Sequence, residues 1–163
     1  AKYGVCMDAL VSQFVIGEIE NAVVSAFRQE SPDIILVEGQ SAVSHPAFMS
    51  SLGILKGALP NGVILQHPPA RKTRCDFPNL PMPTVEREIQ LIEDISSAKV
   101  IAISLSHERL SPSEIPTVID RYEKQFELPT TDVLSNGAQK LVQALADRFP
   151  ELEQKLKQTN ASK

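Results

Sequence analysis

The sequence has no phosphate-binding loop. Neither G-x-x-x-x-G-K-[ST] nor G-x-G-x-x-G occurs among its 163 residues. Both motifs bind phosphates through backbone N–H groups, and the first also supplies a lysine. The residues present therefore offer carboxylates and a few cations but no glycine-rich cradle. This composition predicts that the chain by itself binds ATP or coenzyme A weakly or not at all.

Other features that the sequence lacks argue against membrane-spanning, nucleic-acid-binding and disulfide-bonded classes of protein. No run of about 18 apolar residues occurs, so no membrane-spanning helix is predicted. The net charge of −4 argues against nucleic acid as the main partner, because phosphate binding relies on lysine and arginine. The two cysteines, Cys6 and Cys75, form no CxxC pair, which favours reduced, non-catalytic thiols and a cytoplasmic location. A small-molecule substrate remains the best-supported kind of ligand.

The apolar pattern is typical of an α/β protein. Aliphatic runs bounded by turn residues predict buried strands near 34–37, 63–66 and 99–104, and a short edge strand within 128–132. Helical periodicity lies between these runs. The predicted helices are 8–28, 46–56, one from Thr84 through Ile95, one opened by a capping box of Ser111 and Glu114, and one ending near Phe149.

This alternation predicts an α/β fold with a mainly parallel sheet and helices on both faces. We expect one domain over residues 1–153 and a fraying polar tail at 154–163. The chain opens at Ala1 without a starting methionine. We therefore expect it to be the C-terminal part of a longer protein, cut after its phosphate loop.

The run Ile34-Ile35-Leu36-Val37 ends in Glu38, Gly39 and Gln40. In open α/β sheets, ligands bind beyond the carboxyl ends of strands. Glu38 is therefore a candidate magnesium ligand and catalytic carboxylate, since Mg²⁺ prefers oxygen ligands and phosphate supplies the others. Gly39 permits a close backbone approach, and with Gln40 it is a candidate cofactor-binding segment. The alternative is that Glu38 caps the following turn.

Two further candidates lie near predicted strand ends, Asp8 after a short strand-like segment from Tyr3 to Met7 and His45 after the 34–37 run. Asp8 is placed to hold Mg²⁺ or a substrate amine, or equally to cap the long helix that follows. His45 is a candidate general base, because imidazole titrates near neutral pH, or else a structural residue of its turn.

The proline-rich loop 67–83 follows the second predicted strand. His67 is a candidate catalytic base there, and Arg71 and Arg74 are candidates for binding a substrate carboxylate or phosphate. A solvated basic loop is the alternative. Since strand ends meet at one edge of a parallel sheet, Asp8, Glu38, His45 and His67 are predicted to converge. Ser104, Ser106 and His107 lack a nucleophile elbow and are interpreted as capping or turn residues.

The order of these motifs resembles the C-terminal domain of a P-loop family long labelled a domain of unknown function. The resemblance covers roughly residues 3–135. The residues that carry it are Tyr3-Gly4-Val5, Asp8, Phe14, Gly17, Leu36-Val37-Glu38-Gly39-Gln40, His45-Pro46, Leu52-Gly53, Leu55, Gly57, Pro60 and His67-Pro68. One segment departs from the family pattern, because Ser106-His107 stands where the family tends to have Asn-Thr.

The resemblance implies a P-loop NTPase-like fold similar to dethiobiotin synthetase, truncated here at its N-terminus. Some family members are assigned as D-glutamate N-acetyltransferases. The leading hypothesis is therefore part of an acyltransferase acting on a small amino acid, with Mg²⁺ and ATP or acetyl-CoA in the intact protein. The alternatives are a non-catalytic nucleotide-sensing or oligomerisation module and an ATP-dependent ligase. A homodimer through segments 8–28 and 46–56 is also predicted, since both are rich in small and apolar residues.

Overall fold

The computed structural model describes residues 2–152. They group into two compact units. We call residues 2–61 with Arg87–Lys99 the helical unit, and Gly62–Glu86 with residues 100–152 the sheet unit. The predicted single domain over 1–153 stays a prediction, and the predicted tail at 154–163 lies outside the described residues.

The sheet unit is organised by three strands in the order β1-β2-β3. They are β1 Gly62–His67, β2 Lys99–Leu105, of which all but Lys99 belong to this unit, and β3 Thr130–Thr131. Strands β2 and β3 run parallel, with Ile103 opposite Thr130 and Ser104 opposite Thr131. The α/β class with a parallel sheet flanked by helices is therefore confirmed. Three of the predicted strands match β1, β2 and β3 to within a few residues.

Strand β2 is the centre of this unit. Ala102 and Ile103 have no exposed surface, and the aliphatic residues beside them are also buried. A strand covered on both faces needs an unbroken apolar run, which is the pattern that predicted it. Ala102 packs in a cluster with Leu141 and Ala144. The helices that follow β2 are α4 Ile115–Phe126, α5 Val133–Asn136 and α6 Gln139–Arg148.

The capping box forms only in part. The Glu114 carboxylate accepts the Ser111 N–H at 2.8 Å, as predicted. The Ser111 hydroxyl, however, donates to that same carboxylate at 2.5 Å and caps no helix N–H. Helix α4 consequently begins at Ile115, after the turn rather than within it.

The helical unit contains a 3₁₀ turn, Met7–Ala9, and the helices α1 Ser12–Glu30, α2 Ser50–Gly57 and most of α3 Val85–Ile95. Helices α1 and α2 approach closely because α2 presents glycines to α1. A Cβ atom on Gly53 would lie 2.7 Å from Val15 Cγ1, and one on Gly57 would lie 2.6 Å from the Ile16 carbonyl oxygen. This close packing buries Val15, Ile19 and Leu55.

The predicted strand at 34–37 is wrong. Residues 32–40 have no strand pairing, and Leu36 is 80% exposed. A strand requires a neighbour that satisfies its N–H and C=O groups. Within residues 2–152 no segment pairs with this run, so its apolar pattern alone does not produce a strand.

Helix α1 carries large apolar side chains on its surface, with Phe14 and Phe27 each more than half exposed. The homodimer through α1 and α2 stays a prediction. Among the described residues, no helix combines the length and the apolar character needed to cross a bilayer.

Candidate functional site

In the helical unit, the segment after the 34–37 run is tied to the start of α2. The hydroxyls of Ser50 and Ser51 donate to the Gln40 carbonyl oxygen at 2.9 and 2.8 Å. Gly39 lies against Ile54, where a Cβ atom would come within 2.9 Å of the Ile54 Cδ1 atom. Glycine at this position therefore allows close packing against Ile54, and the close approach of its backbone to a ligand stays a prediction.

Asp8 and Gln40, two of the predicted site residues, lie together. The Gln40 amide donates to the Asp8 carboxylate, with 3.2 Å between Nε2 and Oδ2. Both side chains are exposed, as is Glu38. Asp8 lies within the 3₁₀ turn rather than capping α1, whose N-cap position is Val11. It is therefore accessible to a ligand.

The predicted magnesium site at Glu38 and Asp8 has a limited set of donors. Among residues 2–152, no three histidine, cysteine, aspartate or glutamate side chains converge as a metal site would require. These carboxylates suit only an ion that takes its remaining ligands from phosphate or water, as Mg²⁺ often does. The metal-binding role stays a prediction, and we derive no chemical step through it.

His45 is fixed by its own turn. Its Nδ1 atom accepts the backbone N–H groups of Ala47 and Phe48, both at 3.2 Å, and its ring stacks on the Phe48 ring. A neutral imidazole that accepts at Nδ1 carries its proton on Nε2. In this tautomer the Nε2 atom can donate a hydrogen bond but cannot accept a proton as a base would. The predicted catalytic role of His45 stays a prediction.

A buried glutamate that the sequence analysis missed anchors the same loop. Glu88 of α3 is 4% exposed, and its Oε2 atom accepts the Val43 N–H at 2.8 Å. Its Oε1 atom is buried without a hydrogen-bond partner among the described residues. Glu88 lies three residues after Val85 and four before Ile92, so its place on the apolar stripe of α3 is the signal that could have indicated its burial.

In the sheet unit, the loop after β1 is more ordered than its proline content suggests. Thr73 and Pro81 form an isolated antiparallel bridge, and the Met82 N–H donates to the Lys72 carbonyl oxygen at 2.9 Å. Arg74 belongs to the same narrow turn, its N–H donating to the Leu80 carbonyl oxygen at 3.1 Å. The loop thus holds its basic residues on a small hairpin-like framework.

Arg71 is already paired with a carboxylate. Its Nε and Nη2 atoms donate to the Glu108 carboxylate, and its Nη1 atom contacts the Cys75 sulfur at 3.0 Å. This bonding raises the pKa of Arg71 and lowers that of Glu108. A substrate carboxylate would therefore compete with Glu108 for the guanidinium. The substrate-binding roles of Arg71 and Arg74 stay predictions.

His67, the last residue of β1, packs its ring against Tyr122 of α4 at 5.9 Å between ring centroids. Its carbonyl oxygen accepts the Ser106 N–H at 2.9 Å, which joins the ends of β1 and β2. His67 thus lies at the carboxyl edge of the sheet, where a catalytic residue is expected. Its catalytic role, and its convergence with Asp8, Glu38 and His45, stay predictions.

A second polar pair at this edge joins His107 and Asp132. The His107 Nδ1 atom lies 2.6 Å from Asp132 Oδ2, and the second carboxylate oxygen accepts the Ser135 N–H at 3.0 Å. Asp132 has no exposed surface, whereas 39% of the His107 side chain is exposed. A buried carboxylate thus orients a partly exposed imidazole.

Sequence reasoning missed this pair by interpreting His107 as a capping or turn residue. The two residues are separated by 25 positions, and only the parallel register of β2 and β3 brings their strand ends together. The available signals were the departure at Ser106-His107 from the family pattern and an aspartate directly after the predicted edge strand.

Comparison with known proteins places this architecture in a family. Residues 1–142 match the model described as "Domain of unknown function (DUF1611_C) P-loop domain". The chain belongs to this family. A crystal structure of a DUF1611 family protein from Anabaena variabilis superposes with a TM-score of 0.81 at 27% identity, over 88% of this chain and 43% of that one. The family resemblance stated from the sequence is confirmed.

Two curated relatives of this DUF1611 chain are both named D-glutamate N-acetyltransferase. The protein from Pseudoalteromonas is 29% identical over 147 residues, covering 85% of this chain and 43% of the relative. The protein from Tritonibacter scottomollicae is 28% identical over 149 residues, covering 88% and 44%. The DUF1611 chain therefore spans less than half the length of the curated relatives it matches.

Proposed function

We propose that the full-length gene product carrying this chain transfers the acetyl group of acetyl-CoA to the amino group of a small amino acid such as D-glutamate. The observation that carries the proposal is the match, over most of the chain, to two relatives bearing that name. The residues at the two candidate locations supply the chemistry that such a transfer needs.

The reaction has three requirements. A cationic group must hold the substrate carboxylate, a base must take a proton from the ammonium, and a phosphate-rich coenzyme must be bound. Arg71 and Arg74 meet the first requirement, because guanidinium pairs with carboxylate through parallel hydrogen bonds. Arg71 already pairs with the Glu108 carboxylate, which a substrate carboxylate would have to displace. His67 and His45 are the candidate bases inferred from the sequence, and the two N–H groups that His45 Nδ1 accepts favour His67 of the two.

The helical unit supplies the proposed coenzyme contacts. Gly39 and Gln40 form a backbone segment held by the serines of α2, and Asp8 and Glu38 provide oxygen atoms for an amine or a magnesium ion. Their exposure leaves them accessible to a coenzyme. Since the sequence has no glycine-rich cradle, we expect titration calorimetry on the 163-residue chain to show no micromolar binding of ATP or coenzyme A.

The deciding experiment is an assay of the full-length gene product with acetyl-CoA and D-glutamate. We expect release of the coenzyme A thiol together with N-acetyl-D-glutamate, identified by mass spectrometry. L-Glutamate and D-alanine serve as matched substrates that change the configuration or remove the side-chain carboxylate. Consumption of ATP without thiol release would replace the proposal by a ligase, and consumption of neither would favour a non-catalytic module.

A further inference from the structure

We propose that His107, oriented by the buried carboxylate of Asp132, is the general base that deprotonates the amine substrate. The inference deepens the proposed acetyl transfer and rests on it. It assigns the proton-accepting role to His107, which the sequence alone predicts to be a capping or turn residue.

The location of the pair is the first argument. His107 follows β2 by two residues, and Asp132 directly follows β3. Since these strands are parallel and adjacent, the pair lies at the carboxyl edge of the sheet, where open α/β sheets bind ligands. Glu108, the next residue in the chain, pairs with Arg71. The candidate base, His107, is thus next in sequence to Glu108, and Glu108 is bonded to the candidate carboxylate binder, Arg71.

The tautomer of His107 is the second argument. An ionised carboxylate only accepts hydrogen bonds, so the 2.6 Å contact with Asp132 requires a proton on Nδ1. In the neutral ring this leaves the lone pair on Nε2, which is the form that a general base needs. His45 has the opposite arrangement, because its Nδ1 atom accepts two backbone N–H groups.

The burial of Asp132 is the third argument. A fully buried carboxylate is costly unless its oxygens are hydrogen-bonded. His107 and the Ser135 N–H engage one oxygen each. Asp132 therefore holds the imidazole in one orientation and stabilises the imidazolium that forms when Nε2 takes a proton. Asp132 acts as a positioning residue, and His107 is the residue that contacts substrate.

The proton balance of the step is simple. His107 Nε2 takes one proton from the substrate ammonium, and the freed amine attacks the thioester carbonyl carbon. An N–C bond forms, the C–S bond breaks, and the electron pair leaves on sulfur. The nitrogen loses a second proton on forming the amide. One of the two protons ends on the coenzyme A thiol and the other passes to solvent.

Three variants of the full-length gene product test the assignment. His107→Ala should lower kcat for acetyl transfer by about 100-fold or more with little change in KM, because it removes a general base. Added imidazole should restore part of that loss. Asp132→Asn keeps an oxygen for the Ser135 N–H but presents an amide donor to Nδ1, so it should shift the His107 proton to Nε2 and also lower kcat by about 100-fold.

Asp147→Asn is the matched control. It makes the same change at an exposed aspartate of α6 that accepts a hydrogen bond from Gln143 and takes no part in the pair, and its activity should be unchanged. Nitrogen-15 chemical shifts of the imidazole check the positioning by Asp132, with the Nδ1-protonated form expected in the unsubstituted protein and the Nε2-protonated form in Asp132→Asn. Partial rescue of His107→Ala by imidazole is the readout that a merely structural role would not move. If His107→Ala and Asp132→Asn retain kcat within about twofold, the proposal is overturned.

A second measurement separates failure of this inference from failure of the proposed function. Diethyl pyrocarbonate modifies neutral, accessible imidazoles, and its attachment to His107 is followed by mass spectrometry with D-glutamate, acetyl-CoA or ATP. If the protein without substitutions acetylates no amine in the activity assay, the proposed function is wrong. Protection of His107 by any of the three compounds would then still support a ligand-facing histidine. Labelling unaffected by all three would overturn the inference.

Discussion

Two runs of four aliphatic residues differ in structure, because one forms a buried strand and the other forms no strand. Val100-Ile101-Ala102-Ile103 forms the buried centre of β2, whereas Ile34-Ile35-Leu36-Val37 forms no strand and exposes three of its four side chains substantially. The two runs differ in whether a neighbouring strand pairs with them. Strand β2 is paired on both sides, and no described segment pairs with the earlier run. An apolar run therefore encodes the capacity for burial, while the strand itself depends on partners elsewhere in the chain.

The largest expected effect tests this difference directly. Ile103→Ala should lower the free energy of unfolding by about 2–5 kcal/mol, because it creates a cavity at a side chain with no exposed surface. Leu36→Ala is the matched control, and because Leu36 is 80% exposed its cost should stay within about 0.5 kcal/mol. Urea unfolding followed by circular dichroism measures both. Equal costs at the two positions would show that the 34–37 run is buried in solution.

This contrast also shows how far the sequence determines the fold and the site. Helix periodicity and the 63–66 and 99–104 runs predicted elements correctly, because their signals are local. The burial of Asp132 was not predictable, since its partner His107 lies 25 positions away. The apolar stripe of α3 indicates the burial of Glu88, but nothing local indicates its hydrogen bond to Val43. His107 was interpreted as a turn residue for the same reason. A functional pair formed across adjacent strand ends leaves no motif in one sequence.

Two glycines of the helical unit extend the comparison from strands to helices. Gly57→Ala should destabilise the protein by about 1–3 kcal/mol, because the new methyl group meets the Ile16 carbonyl oxygen and the Ile19 side chain. Gly17→Ala, in α1, has no atom within 4 Å of the added Cβ and should stabilise it by about 0.5–1 kcal/mol. Thermal unfolding of both variants gives the sign. A stabilising Gly57→Ala would contradict the close α1–α2 packing.

Two glutamates, Glu88 and Glu123, each accept a backbone N–H through the side-chain carboxylate, and Glu88 is the more buried of the two. Glu88 accepts the Val43 N–H, and Glu123 accepts the Thr130 N–H at 3.0 Å. Glu88→Ala should lower the free energy of unfolding by about 1–3 kcal/mol, because it leaves a loop N–H without its acceptor. Glu88→Gln retains an acceptor oxygen and should cost less. Equal losses for the two variants would mean that the carboxylate's charge, rather than its hydrogen bond, holds the loop.

The smallest expected effect concerns pH and Glu123. Burial raises the pKa of this carboxyl group, but the Lys140 ammonium at 2.7 Å and the Thr130 N–H outweigh burial and lower it overall. A lowered pKa in the folded state means that the stabilisation is present above the ordinary glutamate value of about 4.3 and is lost as the pH falls through the folded value.

Glu123→Gln keeps an acceptor for Thr130 but cannot titrate. Between about pH 5 and pH 3, the unmodified protein should therefore lose more stability than the variant in urea unfolding. Because other carboxylates titrate in both proteins, the difference between the two profiles reports on Glu123 alone. Parallel profiles would show that Glu123 does not couple β3 to α6 through its charge.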